Sequence, residues 1–174
     1  EPKPFGARSK RFASSLAQDR VELCWVVPAR SHADTATLAV LARLLDRLKT
    51  SAGEPFQVAF HQRQGSGLFR IAANGPTAAA ELGALMERLY EAGPTPESVE
   101  DAKGEEADRY SSLPLRARPY FSLAAEVALM GAYGEHGFLE AWPGWVAAVD
   151  RDGAHEAVKT HLDPKRRVMV PFTA

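Results

Sequence analysis

The stretch Arg20–Val27 constrains this chain most. Val21, Leu23, Cys24, Trp25, Val26 and Val27 form a nearly unbroken β-prone apolar run that Pro28 terminates, so the segment reads as a strand. Its continuity predicts a strand covered on both faces. The covering layer begins after the polar loop 29–33, where Asp34 can cap a helix. Across Asp34–Lys49 the positions Leu38, Leu41, Leu44, Leu45 and Leu48 recur at intervals of three and four, the spacing of one helix face.

Ser51, Gly53 and Pro55 break that helix, and Phe56–Gln62 and Leu68–Ala73 follow as short strands across the turn residues 64–67. Asn74–Gly75–Pro76 stops the second strand. Thr77 opens an Ala-rich helix to Ala92 with Leu82, Leu85, Met86 and Leu89 on one face, and Gly93 closes it. Thr95 can cap the next helix, with Pro96 at its first position and Glu97 complementing the dipole, and that helix runs to Ser111. Helical patterning resumes over Phe121–Met130, over Phe138–Val149 with an interruption at Pro143, and from Asp152 or Gly153 to Leu162. The tail Arg167–Phe172 alternates as a final strand. Strands and helices in this order predict an α+β two-layer sandwich, a mixed or antiparallel sheet with helices packed on one face. Residues 1–19 read as a linker containing an edge strand, and residues 20–174 as a single domain.

The charges exclude some functions. With 21 basic and 22 acidic residues the chain has no global field for nucleic acid, no apolar run is long enough for a membrane span, and Glu1–Lys10 lacks the apolar core of a signal peptide. The single Cys24 permits no internal disulfide and reads as a small buried hydrophobe. The 15 arginines against 6 lysines, with many alanines, suggest a bacterial chain from a GC-rich genome. Its compartment, periplasm or cytoplasm, is left open.

Local spacing offers no catalytic or metal-binding set. His155–Glu156–Ala157–Val158–Lys159 begins like the zinc helix H-E-x-x-H but places Lys159 where the second imidazole belongs. The inverted motif H-x-x-E-H is absent, since Leu139 stands three residues after His136. His32, His61, His136, His155 and His161 therefore read as surface or locally bonded side chains. Ser66 sits in a turn, and there is no nucleophile elbow or phosphate-binding loop. Asp101, Glu105, Glu106 and Asp108 read as the solvated face of a polar helix. Trp142 and Trp145 read as packing across one helical turn, and Arg166–Arg167 as solubilising charge.

The order of segments resembles the non-catalytic, C-terminal domain of the pitrilysin, insulinase or mitochondrial processing peptidase family of zinc metallopeptidases. Gly93–Lys103 is similar to its helix start G-x-T-x-E-E-L-E-x-A-K, and Val146–Asp150 to its I-x-A-V-T step. Ala154–Val168 resembles the ending D-V-x-x-V-A-x-x-Y-L-x-P-x-x-x-x-V, and Val21–Trp25 followed by the helix through Leu38–Leu45 resembles the opening. The resemblance spans residues 20 to 170.

It implies an α+β half-shell with ferredoxin-like elements that pairs with an H-x-x-E-H-bearing half to enclose a peptide chamber. Zinc and catalysis would belong to that partner, so this chain alone would be no enzyme, would hold no cofactor and would bind no stoichiometric zinc. The inactive half of the family contributes an Arg and a Tyr in L-R-E-x-x-G-x-x-Y. Alignment with Leu48–Phe56 puts Lys49 at the Arg position and Phe56 at the Tyr position, with Gly53 matching. Both functional types are changed: Lys49 keeps charge without the planar fork, and Phe56 keeps the ring without the hydroxyl. Peptide and a second copy of the isolated domain are the other partners the resemblance allows. A scaffold module that kept the fold and lost substrate contact is the alternative, and the changes at Lys49 and Phe56 favour it.

Overall fold

The computed structural model describes residues 8–9, 12–13, 19–30, 32–62, 65–111 and 137–173. The helix expected over Phe121–Met130 and the histidine at 136 lie outside the described residues. The strands are β1 (Arg8–Ser9), β2 (Phe12–Ala13), β3 (Arg20–Val27), β4 (Gln57–His61), β5 (Gly67–Asn74) and β6 (Val168–Thr173). The helices are α1 (Thr35–Asp46), α2 (Ala78–Ala92), α3 (Pro96–Ser111), α4 (Phe138–Ala147) and α5 (Arg151–His161).

One mixed sheet runs in the order β1-β6-β3-β5-β4, with β2 also on β6. β6, β3, β5 and β4 are antiparallel neighbours, whereas β1 and β2 lie parallel to β6. The short N-terminal strands thus extend the sheet beyond β6. As the patterning predicts, the fold is α+β with an open sheet.

Among the described residues the apolar run of β3 is fully buried on one face and only partly buried on the other, a correction to the expectation of two-sided cover. Val21, Leu23, Trp25 and Val27 are buried, while Val26 is 76% exposed. Side chains alternate across a pleated strand, and the buried set is the one that joins the core shared with the helices. Cys24 accordingly sits half-buried on that second face, beside Glu22 and Arg70 in the register. Burial, helped by the Glu22 charge, raises its thiol pKa, and the Arg70 charge opposes the shift.

Phe69 and Ile71 of β5 join the β3 residues, and Leu38, Val40, Leu41 and Leu45 of α1 complete the centre of the core. α1 is buried almost all round because the sheet edge at β4, α3 and α5 all pack against it. That position explains a second correction. Glu106 is no solvated face residue: it is 2% exposed, and its carboxylate accepts from Arg43 Nε of α1 at 2.9 Å and from Arg109 Nη1 at 3.3 Å. Arg47 likewise reaches Asp101 at 3.0 Å and Glu105 at 3.3 Å. The acidic side of α3 is therefore the seam by which a polar helix docks on α1.

Helix ends follow local chemistry with some shifts. Thr95 Oγ1 accepts from Ser98 N at 3.2 Å, as a cap should. Asp150, two or three residues before the expected start, caps α5 through Gly153 N at 2.7 Å. Pro143 lies inside α4 without ending it. Gly93 closes α2 with φ +73°, and a Cβ there would come within 2.7 Å of the His155 ring. The close approach lets His155 Nε2 meet Tyr90 O at 2.9 Å and Arg151 Nη2 donate to Ala92 O at 2.7 Å, which locks the α2–α3 corner onto α5.

Candidate functional site

The segment Leu48–Phe56, where α1 hands over to β4, closes as a tight loop. Lys49 and Pro55 form an isolated antiparallel bridge, and Phe56 N donates to Leu48 O at 3.1 Å. Inside it Thr50 N donates to Glu54 O at 2.8 Å and Gly53 N to Thr50 O at 2.9 Å, with Gly53 at φ +83°. That left-handed conformation is the physical use of the glycine. The loop is tied to the start of α2 by Glu81, whose carboxylate accepts from Ser51 N at 2.8 Å, Ser51 Oγ at 2.7 Å and Thr77 Oγ1 at 2.6 Å. Those hydrogen bonds, Thr77 foremost and then Ser51, hold the Glu81 carboxyl below its ordinary pKa.

Within this loop the two residues picked out by sequence part company. Lys49 is exposed, whereas Phe56 is 4% exposed and belongs to the hydrophobic core. Only Lys49 presents its side chain to solvent. Leu48 lines a shallow groove of about 330 Å³ between α1 and the start of α3, whose rim carries Arg47, Glu97 and Asp101.

The second face of the sheet is the other feature of functional size. Val26 and Val168, 76% and 41% exposed, make one end of it apolar. Its other end is polar: Arg20 donates to Glu22 at 2.9 Å and to Gln57 at 2.8 Å, and Arg70 reaches Glu22 at 3.5 Å. Local spacing had not found this face, because the apolar run of β3 concealed its alternation. Trp142 is buried, as packing across a turn requires, while Trp145 is 44% exposed with the rings 6.4 Å apart at 72°.

The histidines divide. His61 is exposed on edge strand β4, and His155 is held by Tyr90. His32 and His161, separated by most of the chain, converge on Asp34. Motif spacing could not reveal a cluster assembled from residues so far apart in sequence.

No family profile and no curated protein matches this sequence. Solved structures do. A protease from Helicobacter pylori matches over 99% of this chain and 46% of its own, with TM-score 0.83 and 19% identity. The peptidase M16 inactive domain from Pseudomonas fluorescens matches over 95% of this chain and 42% of its own, with TM-score 0.71 and 18% identity. An inactive peptidase domain from Bordetella parapertussis matches over 94% of both chains, with TM-score 0.77 and 15% identity. The fold is that of an inactive M16 peptidase domain. M16 is the pitrilysin-like group that the sequence motifs resemble. This chain spans under half the length of the H. pylori and P. fluorescens chains, and nearly the whole of the B. parapertussis inactive domain.

Proposed function

We propose that this chain is the non-catalytic half of an M16-type zinc peptidase, paired with an H-x-x-E-H-bearing half and contributing one wall of a peptide chamber. The observation that carries the reading is the match of nearly the whole chain to 94% of the B. parapertussis inactive peptidase domain and to 42% of the P. fluorescens M16 inactive-domain chain. The catalytic zinc belongs in the partner half, since no segment of this chain has the H-x-x-E-H spacing. The second face of the sheet, apolar at Val26 and Val168 and polar at Arg20 and Arg70, is a wall against which an extended peptide or the partner half can lie. Lys49 supplies a mobile positive charge for a peptide carboxylate or carbonyl, in place of an arginine fork. Phe56 serves packing.

Burial of Phe56 is also what favours the second reading, a scaffold module without substrate contact. One experiment separates the two. The native protein is captured from its own cells and the captured chains are searched by mass spectrometry for H-x-x-E-H; the catalytic half is then assayed on peptides with and without this domain. Hydrolysis that requires both halves, with Lys49→Ala raising KM by up to about fivefold, the worth of an exposed ion pair, supports the peptidase role. Hydrolysis indifferent to Lys49→Ala but still dependent on this domain supports the scaffold. Absence of any H-x-x-E-H chain overturns the M16 pairing.

A further inference from the structure

Asp34 occupies the N-cap position of α1, yet its side chain makes no capping hydrogen bond. Its Oδ2 lies instead 2.7 Å from Nε2 of His161, the last residue of α5, and 3.7 Å from Nδ1 of His32. The two imidazoles meet edge to face with centroids 5.7 Å apart. One ligand atom from each of the three side chains lies within 4.8 Å of the others. Against the sequence expectation that this chain binds no stoichiometric zinc, we propose that His32, Asp34 and His161 form a binding site for one divalent transition-metal ion of the zinc, cobalt or nickel kind.

Two imidazoles and one carboxylate are a donor set suited to borderline ions rather than to magnesium or calcium, which take oxygen. Around a tetrahedral zinc ion with bonds of ~2.1 Å, ligand atoms stand about 3.4 Å apart. The Asp34–His161 contact at 2.7 Å must therefore open by roughly 0.7 Å, and the Asp34–His32 separation at 3.7 Å must close by roughly 0.3 Å. The third separation, between the two imidazole ligand atoms, is at most 4.8 Å and must settle at the same value. Both sides of the site are held by hydrogen bonds. On one side Trp25 Nε1 donates to Asp163 O at 2.9 Å and fixes the end of α5 to β3. On the other, His32 N donates to Ala29 O at 3.0 Å and Thr35 N to His32 O at 3.0 Å, which shapes the turn that presents His32.

Electrostatics work both ways. His161 lies in the last turn of α5, where free carbonyls favour a cation, while the start of α1 disfavours one and is offset by the Asp34 charge. Asp34 N donates to His32 Nδ1 at 3.2 Å, so an ion bound through Nδ1 replaces that hydrogen bond. The His161 side chain is 11% exposed, but those of His32 and Asp34 are 48% and 39% exposed, which leaves the remaining coordination positions to water. Three protein ligands with an open position distinguish such a site from a closed structural zinc. It stands at the start of α1, whereas Lys49 follows the helix's far end, and it is independent of the M16 reading.

The test uses the untagged, chelator-treated chain titrated with Zn²⁺ by calorimetry and with Co²⁺ by visible absorption. The expected result is one saturable equivalent, a tetrahedral Co²⁺ spectrum, and a Zn²⁺-dependent rise in Tm. His32→Gln and Asp34→Asn, both at partly exposed side chains, should each weaken binding by at least about tenfold and abolish the rise in Tm. His61→Gln, on the exposed edge strand, should leave binding unchanged. Circular dichroism checks that each variant folds. No saturable binding, or binding retained in both His32→Gln and Asp34→Asn, overturns the site and leaves His161–Asp34 as an ion pair between helices.

Discussion

Replacing Glu106 by glutamine removes one charge from the seam between α1 and α3 while keeping the side-chain shape. The carboxylate is 3% exposed; Arg43, its closer partner at 2.9 Å, is 32% exposed and Arg109, at 3.3 Å, is 48% exposed. Breaking a fully buried pair from one side costs ~3–5 kcal/mol, because the surviving charge is left without a partner. Here the surviving Arg43 guanidinium can recruit water, so the cost drops toward the ~1.5–3 kcal/mol of a hydrogen bond to a charged group. The more exposed Arg109 adds ~0.2–1 kcal/mol at most. The expected loss is therefore about 2 kcal/mol for Glu106→Gln, or ~4–8 °C in Tm for a domain of this size. Urea unfolding at neutral pH measures it, with an unchanged m-value certifying that the unfolded state is the same. A double-mutant cycle should give a larger coupling for Glu106 with Arg43 than with Arg109, the order of their burial. A loss below about 0.5 kcal/mol, the ordinary range for surface changes, would refute the seam and restore the solvated face that charge pattern alone suggests.

Phe56→Ala should destabilise by ~3–5 kcal/mol, as removal of a buried aromatic does, and should lower the urea midpoint without a selective effect on peptide binding. A KM effect at unchanged stability would contradict its core position. Glu81 gives a pH signature: its folded pKa is lowered, so its stabilising contribution is complete above the ordinary value of 4.5 and disappears as pH falls through the folded value. Melting profiles of the parent and Glu81→Gln should therefore converge at acid pH and separate as pH rises past 4.5; parallel profiles throughout would contradict the triple hydrogen bonding.

Much of the fold was legible because it depends on local periodicity. The leucines of α1, the Thr95–Pro96–Glu97 start of α3 and the glycine closing α2 carry their structural meaning within a few residues. The misreadings share one cause. The run Val21–Val27 looks buried on both faces because nothing in it records which of its alternating side chains join the core. Glu106 looks solvated because its partner Arg43 is 63 residues away. Asp34 looks like a cap, and only the fold brings His161 close enough to take its carboxylate from the backbone.

The sequence by itself determined the described elements from β3 onward, their order and the absence of an H-x-x-E-H motif, since each is a matter of neighbours along the chain. Tertiary structure alone decided which face of β3 stayed open, that Lys49 is exposed while Phe56 is buried, and that His32, Asp34 and His161 meet. Those outcomes depend on packing between segments, where burial and charge pairing are set by residues that no local pattern links.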